Sequence, residues 1–135
     1  MTSPSTAENA FRNRCLSAAR TLAPCVGYFI DRISFNAFGP DDALDISLVG
    51  GPSMPDVLIS LSRLHHLSVA KPPDLSGSFV DEVSLVHLPA LPHAWPGDVD
   101  DRVRRFEGLP ELAWLRLHGP AEVDAIASAV TVYTA

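Results

Sequence analysis

Apolar and polar residues repeat along this chain with two different periods, and the switches between them mark out its elements. From Thr6, Phe11, Cys15, Ala18, Ala19 and Leu22 recur at helical spacing, with Arg12, Arg14 and Arg20 off the stripe. Pro24 ends that helix, because the residue before a proline avoids the α region. From Tyr28 the period shortens to two. Tyr28–Phe38 sets Ile33, Phe35 and Ala37 against Ser34 and Asn36, and Gly39-Pro40-Asp41-Asp42 carries turn chemistry. Ala43–Val49 then sets Leu44, Ile46 and Leu48 against Asp45 and Ser47. Val57–Leu61 and Leu64–Ala70 read as two further strands, followed by a loop from Lys71-Pro72-Pro73-Asp74. Phe79–Leu88 is the longest β-like run in the middle of the chain. Within it Val83, Leu85 and His87 face one way, and Glu82, Ser84 and Val86 the other.

Three prolines between Leu88 and Pro96 predict an extended crossover carrying Leu91 and Trp95. After it, Asp98, Asp100 and Asp101 precede Arg102, Arg104 and Arg105, the order a helix dipole prefers. Val99, Val103 and Phe106 form a stripe, and Gly108 supplies a stop. This predicts a second helix near 97–107. Leu112–His118 reads as a strand, Ala121–Ala127 as a short helix and Val130–Tyr133 as a final strand. Consecutive strands with short polar breaks favour an antiparallel meander over β-α-β units. The expected fold class is therefore α+β: a single domain over 6–135, after a flexible 1–5. Its sheet is a mostly antiparallel meander of five to seven strands, with an N-terminal helix and the second helix near 97–107.

Composition narrows the class. The chain has 135 residues, 47% hydrophobic and 19% charged, which suits one globular domain. Its net charge of −6 is unevenly spread. Residues 41–101 carry ten carboxylates against Arg63 and Lys71, a balance of −8. An acidic centre repels phosphate backbones and attracts basic partners, so no nucleic-acid partner is expected. Neither a secretory signal nor a run long enough to span a membrane is visible, and the chain is expected in the cytoplasm. Cys15 and Cys25 lack disulfide or zinc spacing and read as small buried side chains.

Candidate chemistry is sparse. His65 and His66 are adjacent, so on a strand they face opposite ways. A metal site would need His66, His87 and a carboxylate such as Glu82 across neighbouring strands, without any specific ligand spacing. No metal or other cofactor is expected. Asp81 and Glu82 cannot converge as an acid/base pair on one strand and read as a bulge or rim charge. There is no nucleophile elbow, phosphate loop or dinucleotide fingerprint. Trp114 shares a strand face with Arg116, and Trp95 lies in the proline-rich crossover. Such residues mark binding hot spots when exposed, or core when a helix covers them.

The succession Tyr28–Phe38, Ala43–Val49, Val57–Leu61, Arg-Leu-His-His-Leu at 63–67 and Val-Asp-Glu-Val-Ser-Leu at 80–85 resembles, in layout, the small sheet-based immunity proteins of bacterial toxin systems. The resemblance covers about residues 28–88 and implies binding to a cognate basic toxin. The expected function is thus a protein-binding domain, favoured over an enzyme, with Asp41, Asp42, Asp45, Trp95, Trp114 and Arg116 as candidate contacts. Two alternatives remain. One is a small enzyme or ligand-binding protein using a histidine/carboxylate cluster on an open sheet face. The other is a self-associating module that closes a homodimer through a strand edge or a Trp95/Trp114 patch.

Overall fold

The structure, a computed structural model, describes residues 5–37, 42–71, 78–97 and 99–134, with side chains described from Ala10 onward. Helix α1 (Ser5–Leu22) is followed by a 3-10 turn at Ala23–Cys25, so Pro24 does end the α-helix. Six strands follow: β1 (Phe29–Asn36), β2 (Ala43–Val49), β3 (Val57–Ala70), β4 (Glu82–Leu88), β5 (Leu112–His118) and β6 (Glu122–Thr134). They form one sheet in the order β1-β2-β3-β6-β5-β4, with every neighbouring pair antiparallel. The fold is α+β, as the alternation predicted. Two three-stranded meanders are joined along β3 and β6.

The sheet curls until its edges approach each other. Ser78–Val80, on the way into β4, crosses to the start of β1. Val80 N–H donates to Tyr28 O and Ile30 N–H to Ser78 O, both at 2.8 Å, while Gly27 N–H donates to Val80 O. One residue on, Asp81 N–H donates to His118 O at 2.7 Å. The run Phe79–Leu88 is therefore divided, with the strand proper starting at Glu82. The inner face holds the main core. Phe11, Cys15, Ala18 and Leu22 of α1 pack with Leu44, Ile46 and Leu48 of β2, Ile59 and Leu61 of β3, and Leu115 and Leu117 of β5.

A second core lies on the opposite face, over the β4-β5-β6 half only. There Trp95, Val99, Val103 and Leu109 cover Leu88, Leu112, Trp114 and Ile126. This corrects the expected second helix near 97–107: among the described residues its only helical piece is a 3-10 turn at Val99–Asp101. Two of the three arginines expected at that helix end, Arg102 and Arg105, make tertiary contacts instead. Arg102 Nε donates to Asp124 Oδ2 at 2.7 Å, and Arg105 reaches His93 O at 2.7 Å and Pro89 O at 3.2 Å. Gly97 and Gly108, at φ 61° and 98°, turn the chain at either end of the segment.

Two further expectations change. The short helix expected at Ala121–Ala127 does not form: Glu122–Ala127 belongs to β6, because Val123, Ala125 and Ala127 alternate inward and their backbone completes the ladders to both β3 and β5. The strands expected at 57–61 and 64–70 are one bent strand. Arg63 adopts φ 55°, and the register shifts between Leu64 and His66. Asp42 holds this bend: its carbonyl accepts from Arg63 N–H at 3.0 Å and its Oδ1 from Leu64 N–H at 2.9 Å. The expected turn at 39–41 and the loop at 72–74 lie outside the described residues.

Closure of the sheet depends on one close approach. A Cβ on Gly119 would sit 2.1 Å from Phe79 O, against backbone that is itself hydrogen-bonded into the bridge. Gly119→Ala is therefore expected to lower stability by about 2–3 kcal/mol in urea unfolding. An unchanged urea midpoint would contradict the edge contact.

Candidate functional site

Among the described residues, alternation leaves one half of the outer sheet face without a covering segment. In β1, β2, β3 and β6 the inward residues serve the main core, and the residues between them form three cross-strand rows. Arg32, Ser47, Leu58 and Tyr133 make the first row. Ser34, Asp45, Ser60 and Thr131 make the second, and Asn36, Ala43, Ser62 and Ala129 the third. None of these residues is buried, and Leu58 and Tyr133 are exposed apolar side chains in direct register. Small hydroxyl groups fill the middle, and Asp45 is the only carboxylate in the rows. Such a surface can hydrogen-bond, with two opposite charges, Arg32 and Asp45, and two larger anchors, Leu58 and Tyr133.

Beside it, a polar network lies at the margin of the second core. Trp114 is buried, and its indole N–H donates to Asp124 Oδ1 at 2.7 Å while Arg102 takes Oδ2. Burial pushes the Asp124 carboxyl upward. Hydrogen bonds from Trp114 and Arg102, with the charges of Arg102 and nearby His66, outweigh it and hold the group below its ordinary value. The guanidiniums of Arg116 and Arg102 lie 5.0 and 5.6 Å from the Trp114 ring centre.

On the inner face, His87 Nε2 meets Glu111 Oε1 at 2.5 Å, and the His87 ring lies 5.8 Å from that of Phe11. Cys15 lies within the field of Glu111. Burial, with the Glu111 charge, pushes its thiol up to about 11, against the opposing pull of Arg14. A buried thiol held protonated is a poor nucleophile, so this trio of Cys, His and Glu lacks the activation a catalytic cysteine requires. A depression of about 560 Å³ follows the bend in β3, lined by Asp42, Arg63, His65 and Ser128.

The structure separates the candidate metal ligands. His87 is on the inner face of β4, while His66 and Glu82 are on outer-face registers of β3 and β4, with β6 and β5 between those strands. No group of three His, Cys, Asp or Glu side chains is placed to hold a metal among the described residues. Of the candidate contacts, Asp45 lies on the bare face, Asp42 is turned into the β3 bend, and Asp41 lies outside the described residues. Trp95 and Trp114 are 8% and 5% exposed, which makes them core, and Arg116 stacks on Trp114. Sequence reasoning missed Asp124 and Glu111. Asp124 sits directly across from Arg116, a pairing concealed by reading 121–127 as helix. Glu111 stands just before β5, and nothing in its sequence neighbourhood points to His87.

No protein-family model matches this chain, and no curated protein matches it. No helix among the described residues is long and apolar enough to cross a membrane.

The Asp124 network sets a pH dependence. Its folded carboxyl is depressed, so its contribution is complete above the unfolded value, about 3.9, and is lost as pH falls through the lower folded value. Asp124→Asn should cost about 2 kcal/mol near pH 7 in urea unfolding, and the difference from wild type should shrink as pH falls below about 4. A difference independent of pH would contradict the ionic role.

Proposed function

We propose that this chain is a protein-binding domain that presents its bare outer half-face to a basic protein partner. Within that reading, an immunity protein that neutralises a cognate toxin by surface complementarity is the form we favour. The observation that carries the proposal is the set of three uncovered rows, with Asp45 at their centre and Leu58 and Tyr133 at one end. The other half of the same face is covered by the segment from Trp95 to Leu109, so exposure here is selective. Strands about 4.8 Å apart make four strands about 15 Å wide, the scale of the centre of a standard interface. The net charge of −6 supplies complementarity to a basic surface and faster encounter. The alternative, a small enzyme built on a histidine/carboxylate pair, would draw on His87 and Glu111, which lie on the helix side of the sheet, or on His118 and Glu122, which lie 3.6 Å apart at the end of β5 and the start of β6.

Pull-down from the native cell tests the proposal. Wild type and an Arg20→Glu control on α1 should recover a stoichiometric basic protein. Asp45→Lys should reduce recovery at least about tenfold, and Tyr133→Ala should weaken it, with folding unchanged because both side chains face solvent. Equal recovery by the face variants, or recovery of the chain alone, would contradict the reading.

A further inference from the structure

A line of apolar side chains crosses the outer face at a slant and runs on past the three rows to the seam where the sheet closes. Leu58 and Tyr133 face each other across β3 and β6. Ser47 is the β2 partner of Leu58, so Val49, two residues on, lies diagonal to Leu58 on the same face. Val49 pairs directly with Phe29 of β1, and Phe29 pairs with Phe79 in the isolated bridge of the seam. Residues paired across strands share a face, and the neighbours Tyr28, Ile30, Ser78 and Val80 are all buried. Tyr133, Phe29, Phe79 and Leu58 are 54%, 50%, 39% and 37% exposed, and Val49 is half-buried. Exposed apolar residues scattered singly need no explanation. Five in register make a stripe of roughly 400 Å², a size at which a patch on a single chain is often functional.

We propose that this stripe docks a basic amphipathic helix of the protein partner, an inference that rests on the basic-partner reading and names its recognition element. The stripe itself calls for a row of apolar side chains. Charge sets what flanks that row. Asp56 and Asp81 are exposed two residues from Leu58 and Phe79, Asp31 is exposed on β1, and Asp45 lies in the next row. Against these four carboxylates stand Arg32 in the first row and Arg14, which reaches the β6 edge from α1. The border is acidic, and Lys or Arg beside the apolar row complements it. The backbone sets the form. β2 and the first half of β3 have ladders on both sides, so a segment lying across them finds no free N–H or C=O to pair with. A helix satisfies its own backbone and shows one apolar face. Four strand spacings of about 4.8 Å make a stripe about 19 Å long, which matches roughly 13 helical residues.

The test uses the full chain and labelled peptides of about 14 residues. One peptide sets leucines at helical spacing among lysines, a second scrambles that spacing at the same composition, and a third has glutamate for lysine. Fluorescence anisotropy should show saturable binding of the first, at least about tenfold weaker binding of the second and none of the third. In nitrogen-15 NMR the first should shift the amides of Phe29, Val49, Leu58 and Tyr133 and leave that of Leu16, exposed on α1, unmoved. Phe29→Ser and Leu58→Ser should each weaken binding about tenfold, and Leu16→Ser should not. Equal binding of the scrambled peptide, or shifts centred away from the stripe, would overturn the proposal, and the wild-type shifts decide this even where a variant fails to fold. Self-association of the chain alone, or sedimentation with phosphatidylcholine vesicles, that Phe29→Ser abolishes would overturn it in favour of a second copy or a lipid surface. In the pull-down, loss of the partner by Asp45→Lys but not by Phe29→Ser or Leu58→Ser would overturn the stripe alone and leave the basic-partner reading standing.

Discussion

Pairing between β3 and β6 is the constraint on which the rest of this structure depends. These are the longest strands, at 14 and 13 residues, and theirs is the ladder that joins the two meanders. Their inward residues, Ile59, Leu61, Val123, Ala125 and Val130 among them, form the middle of the main core. Both strands change phase near their midpoint. Inward positions run through 123, 125 and 127 and resume at 130, while β3 bends at Arg63 under the grip of Asp42. Extra residues in a ladder increase local twist. The sheet thereby curls around the stripe of α1 until Ser78–Val80 can join β1. The small side chain of Gly119 is what lets that last crossing fit.

The same pairing divides the outer face into two territories with different chemistry. Over β4, β5 and β6, large apolar groups face outward and require cover, which Trp95, Val99, Val103 and Leu109 provide. Arg105 fixes that cover by lying 4.4 Å from the Trp95 ring centre and binding the carbonyls of Pro89 and His93. Over β1, β2 and the first half of β3, the outward residues are mainly serine, alanine and Asp45, which require none. Nothing in folding demands that this half be covered. Its Leu58 and Tyr133 are exposed in register, which is where the binding reading draws its strength.

Local patterns made most of this fold legible. The α1 stripe and the alternation of 43–49 each report one buried face, and β2 matches its expected bounds residue for residue. Failures came where tertiary contacts overrode local preference. Asp100, Asp101 and the arginines after them look like helix ends, but Arg102 and Arg105 have partners far away in sequence. Glu122 and Asp124 look like a helix first turn, but a segment between two strands must complete both ladders. The candidate sites were less legible for the same reason. Asp45 could be placed on an outward face by alternation alone, whereas the pairs Arg102–Asp124 and His87–Glu111 depend on strand order. Trp114 is an outward residue that is buried only because a distant loop folds over it.

The most direct test of the central claim, that the bare half-face is where a partner docks, is site-specific photo-crosslinking in the native cell. A photoreactive residue would replace Tyr133 on that face and, separately, Leu16, which is exposed on α1 at the opposite side of the sheet. The account predicts a single basic protein covalently captured from position 133 and absent from position 16. Capture from position 16 alone, or equally from both, would contradict it.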